Sequence, residues 1–187
     1  MKSAYKSLAI VAALVMLCGA ANANAATYTV AKGSKVSFVG KITAGSFTAK
    51  SAELSGTVDY DETSGVITSA IVKLRADSLK TGMSSRDNHM REKYIEAEKF
   101  PDIVFTVESA TIPATADSGS VKGAFTIKGK TKKLDIPVTV SERTAGGITL
   151  KSAFKLDIKD YGIPQPKFAV VKMQTVIDVT LDLVLTK

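Results

Sequence analysis

The chain has few of the side chains that perform redox, metal and nucleophilic chemistry. Its 187 residues include one Cys, one His and no Trp. Cys18 lies in an apolar N-terminal run, so the rest of the chain has no thiol for a disulfide, a thiolate metal site or a Cys nucleophile. Because His89 is the single imidazole and no loop has calcium-type spacing, the sequence predicts no metal site and no cofactor.

Proline and long apolar runs are also scarce. Five Pro, 23% charged residues and 45% apolar residues exclude a disordered or collagen-like chain and indicate a globular domain. The longest N-terminal apolar run, residues 8–17, is half of the about 20 residues that a membrane-spanning helix needs. Lys2 and Lys6 precede it and small residues follow it at 21–25, which is typical of a secretory signal peptide. We therefore expect a cleaved signal at 1–25, a periplasmic location and one domain at 26–187.

Alternation of apolar and polar residues dominates the expected mature chain. Val36, Phe38 and Ile42 share one parity, and the residues between them are mostly polar, as in a half-buried strand. The same pattern predicts eight strands, at 36–42, 54–60, 66–76, 103–107, 121–127, 134–140, 148–158 and 173–185. A tight turn at Gly129-Lys130 joins two of them, and Pro137 predicts a bulge or a free edge in its strand.

Eight long strands with one apolar face must bury that face together, in a closed barrel or a sandwich. Their meander order favours an all-β, up-and-down antiparallel barrel, because closure removes the exposed edges. Lys122, Lys151 and Asp178 at mid-strand on the polar parity argue against an outer-membrane barrel, whose outer face is apolar. The apolar face is therefore expected to line the interior.

One helical pattern interrupts the strands, at residues 84–99 between the third and fourth predicted strands. Ser84 and Asp87 have the spacing of a capping box, and Met90 and Tyr94 share a helical face. Phe100-Pro101 is expected to end the helix. We expect this helix to cover one end of the barrel.

Local catalysis has little support in the pattern. Ser84, Asp87 and His89 cannot all converge on one helical face, and the members of a triad normally come from separate segments. The four lysines around the turn at 128–133 fit a solvated turn better than an anion or membrane contact. Scattered basic residues, with aromatics on the apolar parity, do not predict nucleic-acid binding.

The distinctive feature is the interior itself. Inward glycines at positions 40, 56 and 123 leave volume unfilled, and the periodicity does not decide between a cavity and a core filled by helix and neighbours. The candidate lining residues are Phe38, Ile42, Phe105, Phe125, Phe154, Ile177 and Val179. The candidate mouth residues are Arg86, His89, Met90 and Tyr94.

Four segments in order resemble the signature segments of the YceI-like family. They are residues 86–90 (RDNHM), 100–105 (FPDIVF), 121–131 (VKGAFTIKGKT) and 160–163 (DYGI). The match extends over residues 28–185. It implies an exported, lipocalin-like eight-stranded barrel that binds a long isoprenoid or other amphipathic lipid and has no established catalytic residues. Lys41 stands where many members have a His, so no role of that histidine is carried over.

Three functions follow as alternatives. A lipid carrier or sequestering protein needs only an apolar cavity, whether for a polyisoprenoid, a quinone-like isoprenoid or a fatty-acid-derived lipid. A structural or stress-related barrel would have a filled core and no ligand. A lipid-modifying hydrolase needs a nucleophile with an oriented base, which the sequence does not supply. The resemblance favours the carrier, not an enzyme, with transient membrane-surface contact as a further possibility.

Overall fold

The computed structural model describes residues 25–113 and 115–187. The expected signal peptide, apart from Ala25, lies outside these residues. Thirteen strands are present in the described part: β1 (Ala25–Val30), β2 (Lys35–Ile42), β3 (Gly45–Ser51), β4 (Leu54–Asp61), β5 (Val66–Arg75), β6 (Asp102–Val107), β7 (Ala110–Thr111), β8 (Ser118–Ile127), β9 (Lys130–Thr144), β10 (Gly147–Asp157), β11 (Lys167–Phe168), β12 (Val171–Lys172) and β13 (Val176–Thr186).

Eight strands close into an antiparallel barrel, as the sequence predicts. The ring runs β1-β4-β5-β6-β8-β9-β10-β13, and β13 returns to β1. Closure is made at the C-terminal end of β13, where Thr186 faces Thr29. Nearer its start, β13 pairs instead with β2, with Asp178 opposite Val39. The β2–β3 hairpin therefore extends the wall where β1 stops.

Five of the thirteen strands were not expected from the sequence: β1, β3 and the two-residue strands β7, β11 and β12. Along β3 the inward positions are Phe47, Ala49 and Ser51, and two of these three side chains are too small to register as an apolar stripe. β1 is short and rich in Ala and Thr.

A helical segment lies between β5 and β6, at the predicted place. It consists of a 3-10 turn (Ala76–Ser78), helix α1 (Ser84–His89) and one π-helical stretch (Met90–Ile95). Together, α1 and the π-helical stretch are called the cover here. Among the described residues no helix is long and apolar enough to cross a bilayer.

The cover begins at Ser84, as predicted, but the predicted capping box and the predicted C-terminal end are wrong. Met83 is the N-terminal cap and has no capping side chain; the Asp87 carboxylate instead accepts from the backbone and hydroxyl of Thr81. Asp87 is buried, so it takes the donors nearest to it in the preceding loop. The cover ends at Glu96, which has a left-handed φ of 56°, before Phe100-Pro101 is reached.

The β8–β9 hairpin turn is one residue earlier than predicted. Ile127 pairs with Lys130, so Lys128 and Gly129 are the two turn residues. Their φ values, 50° and 70°, are both positive, which a two-residue hairpin turn of type I′ requires. Pro137 has the free edge that was predicted: the β9–β10 ladder ends at Thr139, and the Pro137 carbonyl accepts from the Ser152 hydroxyl.

The barrel interior divides into a packed half and a hollow half. Buried side chains around Tyr28, Tyr60, Ile136 and Leu185 fill the half near the β1 closure. A small void, of about 20 Å³, is found among them. The second half lies beneath the cover and contains the cavity described next.

Candidate ligand cavity

The cavity beneath the cover has a volume of about 470 Å³, within the range of small-molecule sites. Its walls come from β2, β3, β13 and the ends of β5, β6, β8 and β10, and the cover lies across it. Most of its side chains are aliphatic or aromatic. The polar exceptions are Ser85, Arg86, His89, Lys167 and the hydroxyl of Tyr94.

Five of the seven predicted lining residues are on the cavity wall: Phe38, Ile42, Phe125, Ile177 and Val179. Phe38 and Phe125 are only half-buried although they are on the inward parity, and both line the cavity. That these residues bind a ligand stays a prediction.

Phe105 and Phe154 are placed differently from the prediction. Their rings pack on Phe125, with centroids 5.4 Å and 6.0 Å away, and they belong to the layer that separates the two halves of the interior. Both are on the predicted inward parity. The tilted and edge-to-face contacts fill the space that we expected them to line.

The inward glycines do not create the cavity. A Cβ on Gly40 would lie 2.6 Å from Phe47 Cζ, and one on Gly123 would lie 2.4 Å from Phe105 Cζ. Each glycine therefore makes room for an aromatic ring from the neighbouring strand. At Gly56, with φ +141°, a Cβ would meet the Ile71 carbonyl oxygen at 1.9 Å, so close approach of backbones explains that position.

The four predicted mouth residues, Arg86, His89, Met90 and Tyr94, all lie on the cavity wall. They recur at three- and four-residue spacing, which places them on the same face of the cover. The sequence signal missed other cavity-wall residues, some of which contact these four. They include Pro166, Lys167 and Val171, in and beside the β11–β12 hairpin, and Phe47 on β3.

Arg86 is held in place by two neutral groups. Its Nε donates to the Thr81 hydroxyl oxygen at 2.9 Å, and its guanidinium carbon lies 4.3 Å from the centroid of the Phe47 ring. The Thr81 hydroxyl donates in turn to Asp87 Oδ1 at 2.5 Å. The Thr81 hydroxyl thus orients the Arg86 guanidinium at the edge of the apolar cavity, and it also connects this cation to the Asp87 carboxylate.

The buried cluster around the cavity contains an uncharged phenol. Tyr161 is 1% exposed, and within the described residues its hydroxyl has no hydrogen-bond partner. Desolvation, followed by the nearby Asp160 charge, raises the pKa of Tyr161 to about 12. The group therefore stays neutral at physiological pH.

No metal cluster is present in residues 25–113 and 115–187, where no three His, Asp, Glu or Cys side chains gather as ligands would. Lys41, at the position of the family histidine, points outward and pairs with Asp178 at 2.8 Å.

Comparison with known proteins places the chain in a family. The model of the YceI-like domain matches residues 28–185, so the chain belongs to the YceI-like family and the resemblance of its motifs is confirmed. A UPF0312 protein of Yersinia enterocolitica is 30% identical over 95 residues, which is 50% of this chain and 46% of that protein. One of Pseudomonas aeruginosa is 26% identical over 121 residues, 59% of this chain and 60% of that protein. The chain thus spans about half to three fifths of the length of these relatives.

Solved structures share the fold. A polyisoprenoid binding domain from Saccharophagus degradans, implicated in plant cell wall breakdown, matches with a TM-score of 0.72 at 20% identity, over 87% of this chain and 98% of that one. Burkholderia cenocepacia BcnA matches with a TM-score of 0.69 at 23% identity, over 83% and 98%. These likenesses confirm the closed eight-stranded barrel.

Proposed function

We propose that this protein binds a long apolar chain in the cavity beneath the cover and acts as a carrier or sequestering protein for it. The observation that supports this proposal most directly is a cavity of about 470 Å³ with apolar walls. Its polar groups are confined to the side of the cover and the β11–β12 hairpin. The ligand would be an isoprenoid, a quinone-like isoprenoid or a fatty-acid-derived lipid. The shared fold of a polyisoprenoid binding domain supports this ligand class.

A filled structural barrel is the second candidate, and the packed half of the interior resembles one. The hollow half argues against it. If a cavity of this size stayed empty, the side chains along its wall would lose dispersion contacts. A bound chain would restore those contacts and would remove apolar surface from water, about 0.8 kcal/mol for each methylene.

A lipid-modifying hydrolase has less support. Ser85 and His89 both lie on the cavity wall, but they belong to one short helix, whereas the members of a catalytic triad normally come from separate segments. The nearby carboxylate, Asp87, accepts two hydrogen bonds from Thr81. These hydrogen bonds hold the loop before the cover in place, and the arrangement favours a binding role for the site.

Direct titration tests the proposed binding. A fluorescent fatty-acid analogue is added to the purified protein and then displaced with geranylgeraniol or palmitic acid. We expect saturable, one-to-one probe binding and displacement by both competitors. Because a tube of aliphatic groups recognises length and little else, the two competitors should differ modestly. A probe that does not bind would contradict the carrier.

For the mouth we propose that Arg86 and His89 contact a ligand head group or gate its entry. The competing role is a purely structural anchor of the cover. His89→Ala separates the two. Lower lipid affinity at an unchanged melting temperature supports the gate, and lost stability at unchanged affinity supports the anchor.

We further propose that the protein is exported and works in the periplasm, on the basis of the charged start and apolar run of residues 1–25. Cell fractionation with N-terminal sequencing tests this. A mature chain that begins near Ala26 in the periplasmic fraction is expected. An intact Met1 terminus in the cytoplasm would contradict export.

A further inference from the structure

The β11–β12 hairpin beside the cavity has an apolar side chain exposed at its turn. Val170, in its two-residue turn, is 87% exposed. On either side of that turn, Lys167 and Val171 contribute to the cavity wall. Met83, at the start of the cover, lines the same cavity and is 52% exposed. Single exposed apolar residues are common, but these two border one apolar opening. Met83 and the turn of this hairpin are called the rim here.

The rim hairpin is held in position from both sides. The Tyr94 hydroxyl on the cover accepts from the Lys167 backbone nitrogen at 3.2 Å. Thr43, between β2 and β3, donates its backbone N–H to the Lys172 carbonyl at 3.0 Å and accepts from the Lys172 nitrogen at 3.1 Å. The exposure of Val170 is therefore a property of a fixed turn.

Two lysines stand at the base of this turn, directly across from each other. Lys167 and Lys172 are register partners in the hairpin, and both are exposed. Like charges directly opposite in a ladder are destabilising. Val170 thus forms an apolar tip next to the paired cations Lys167 and Lys172. This arrangement is complementary to a surface with an apolar interior and anionic groups at its boundary.

We propose that the rim docks on an anionic lipid membrane, with Val170 entering the interface and Lys167 and Lys172 meeting lipid phosphates. Basic residues beside a short apolar anchor are a recurring means of reversible membrane attachment. A second copy of this chain fits the rim less well. A symmetric contact through the same patch would bring the four lysines together.

Docking at the rim solves a loading problem, and this step rests on the proposed function. Each methylene of a free lipid lowers its concentration in water about fourfold, so a long chain is scarce outside a membrane. A cavity that opens against the bilayer receives the chain without passing it through water. The rim is adjacent to the cavity wall, where such a transfer would take place.

Co-sedimentation with vesicles tests docking, on the full mature protein. Vesicles of phosphatidylcholine alone are compared with vesicles that contain about a third phosphatidylglycerol. We expect binding to the anionic vesicles and a steep loss of binding at high salt, because the charges are exposed. Val170→Asp should abolish binding, while Ile71→Asp, at an exposed apolar position of the barrel wall, should leave it unchanged.

Two Lys→Gln variants that remove the same charge at different places distinguish docking at the rim from general electrostatic attraction to anionic vesicles. Lys172→Gln should lower the partition coefficient about fivefold, and Lys122→Gln, the same change on the wall strand β8, should have a much smaller effect. Equal losses in the two variants would overturn the proposal. So would unimpaired binding by Val170→Asp, or a dimer of the wild type in sedimentation velocity that Val170→Asp dissociates.

The outcome is distinguishable from failure of the proposed function. Probe binding in vesicle-free solution is measured on the same variants. If the protein binds the probe normally but does not bind vesicles, the docking proposal is rejected and the carrier proposal stands. Vesicle binding without probe binding upholds docking and rejects the carrier.

Discussion

The Lys128 ammonium on the β8–β9 turn lies 2.5 Å from the Glu96 carboxylate at the end of the cover. Both residues have left-handed backbones, with φ values of 50° and 56°, which are uncommon for side chains other than glycine. The hydrogen bond from Lys128 holds the pKa of Glu96 below its usual range. The pair therefore links the cover to the barrel at neutral pH.

Breaking this pair should loosen the cover more than the barrel. We expect Glu96→Gln to raise amide hydrogen exchange in residues 84–95 and to leave exchange in the long strands β10 and β13 unchanged, because local opening needs less than global unfolding. Equal increases in cover and barrel would contradict this role. Arg75→Gln, which breaks an exposed pair with Asp77, is the control and should not change exchange in the cover.

Filling the cavity should separate ligand binding from stability. Val179 lines the hollow half and Val138 belongs to the packed half, and both are 9% exposed. Val179→Phe is expected to be tolerated and to reduce probe binding at least tenfold. Val138→Phe should destabilise by about 1–3 kcal/mol through overpacking and should leave the affinity of the folded protein unchanged.

Chemical denaturation and probe titration of both variants measure this difference. The same loss of stability at the two positions would mean that the hollow half is packed in solution.

The inward glycines should tolerate no added methyl group. Gly123→Ala places a Cβ against the Phe105 ring and 2.6 Å from the Thr106 carbonyl oxygen, so we expect a loss of about 1–3 kcal/mol. Gly146→Ala is the matched control, since a Cβ there meets nothing within 4 Å. It should be neutral or stabilising by up to about 1 kcal/mol. Equal effects in urea denaturation would refute the close packing.

An exposed carboxylate on β13 should contribute to the acid stability of the wall. Asp178 accepts from Lys155 and pairs with Lys41, and these contacts lower its pKa from 3.8 to about 2. A carboxyl with a depressed pKa in the folded state stabilises fully above about pH 4 and loses that contribution as the pH falls toward 2.

Asp178→Asn should therefore have a lower melting temperature than the wild type at pH 7, and the difference should shrink toward pH 2. Melting followed by circular dichroism between these pH values measures it. A difference that stays constant across the range would show that the contacts of Asp178 do not depend on its charge.

The barrel could be predicted because its longest strands alternate strictly. Along β13, Ile177, Val179 and Leu183 are buried on one parity, and the period of two specifies that face directly. The strands that were not predicted have only two to seven residues each, and the longest of them, β3, presents Ala49 and Ser51 inward. Small side chains give no apolar periodicity even where they are fully buried.

The cavity could not be located by the same reasoning. Parity says which side chains point inward, and it does so equally for Phe154 in the packed layer and for Phe38 on the cavity wall. Whether an inward side chain meets a neighbour or a void depends on how the strands are spaced. The glycine at position 123 illustrates this, since the space it leaves is occupied by a ring from β6.

Native mass spectrometry of the protein purified from cell extract tests the central claim most directly. The account predicts one bound species per chain, with the mass of an isoprenoid or another long-chain lipid, and its loss in Val179→Phe. Clean apo protein that also fails to bind added geranylgeraniol would contradict it and would indicate a structural barrel.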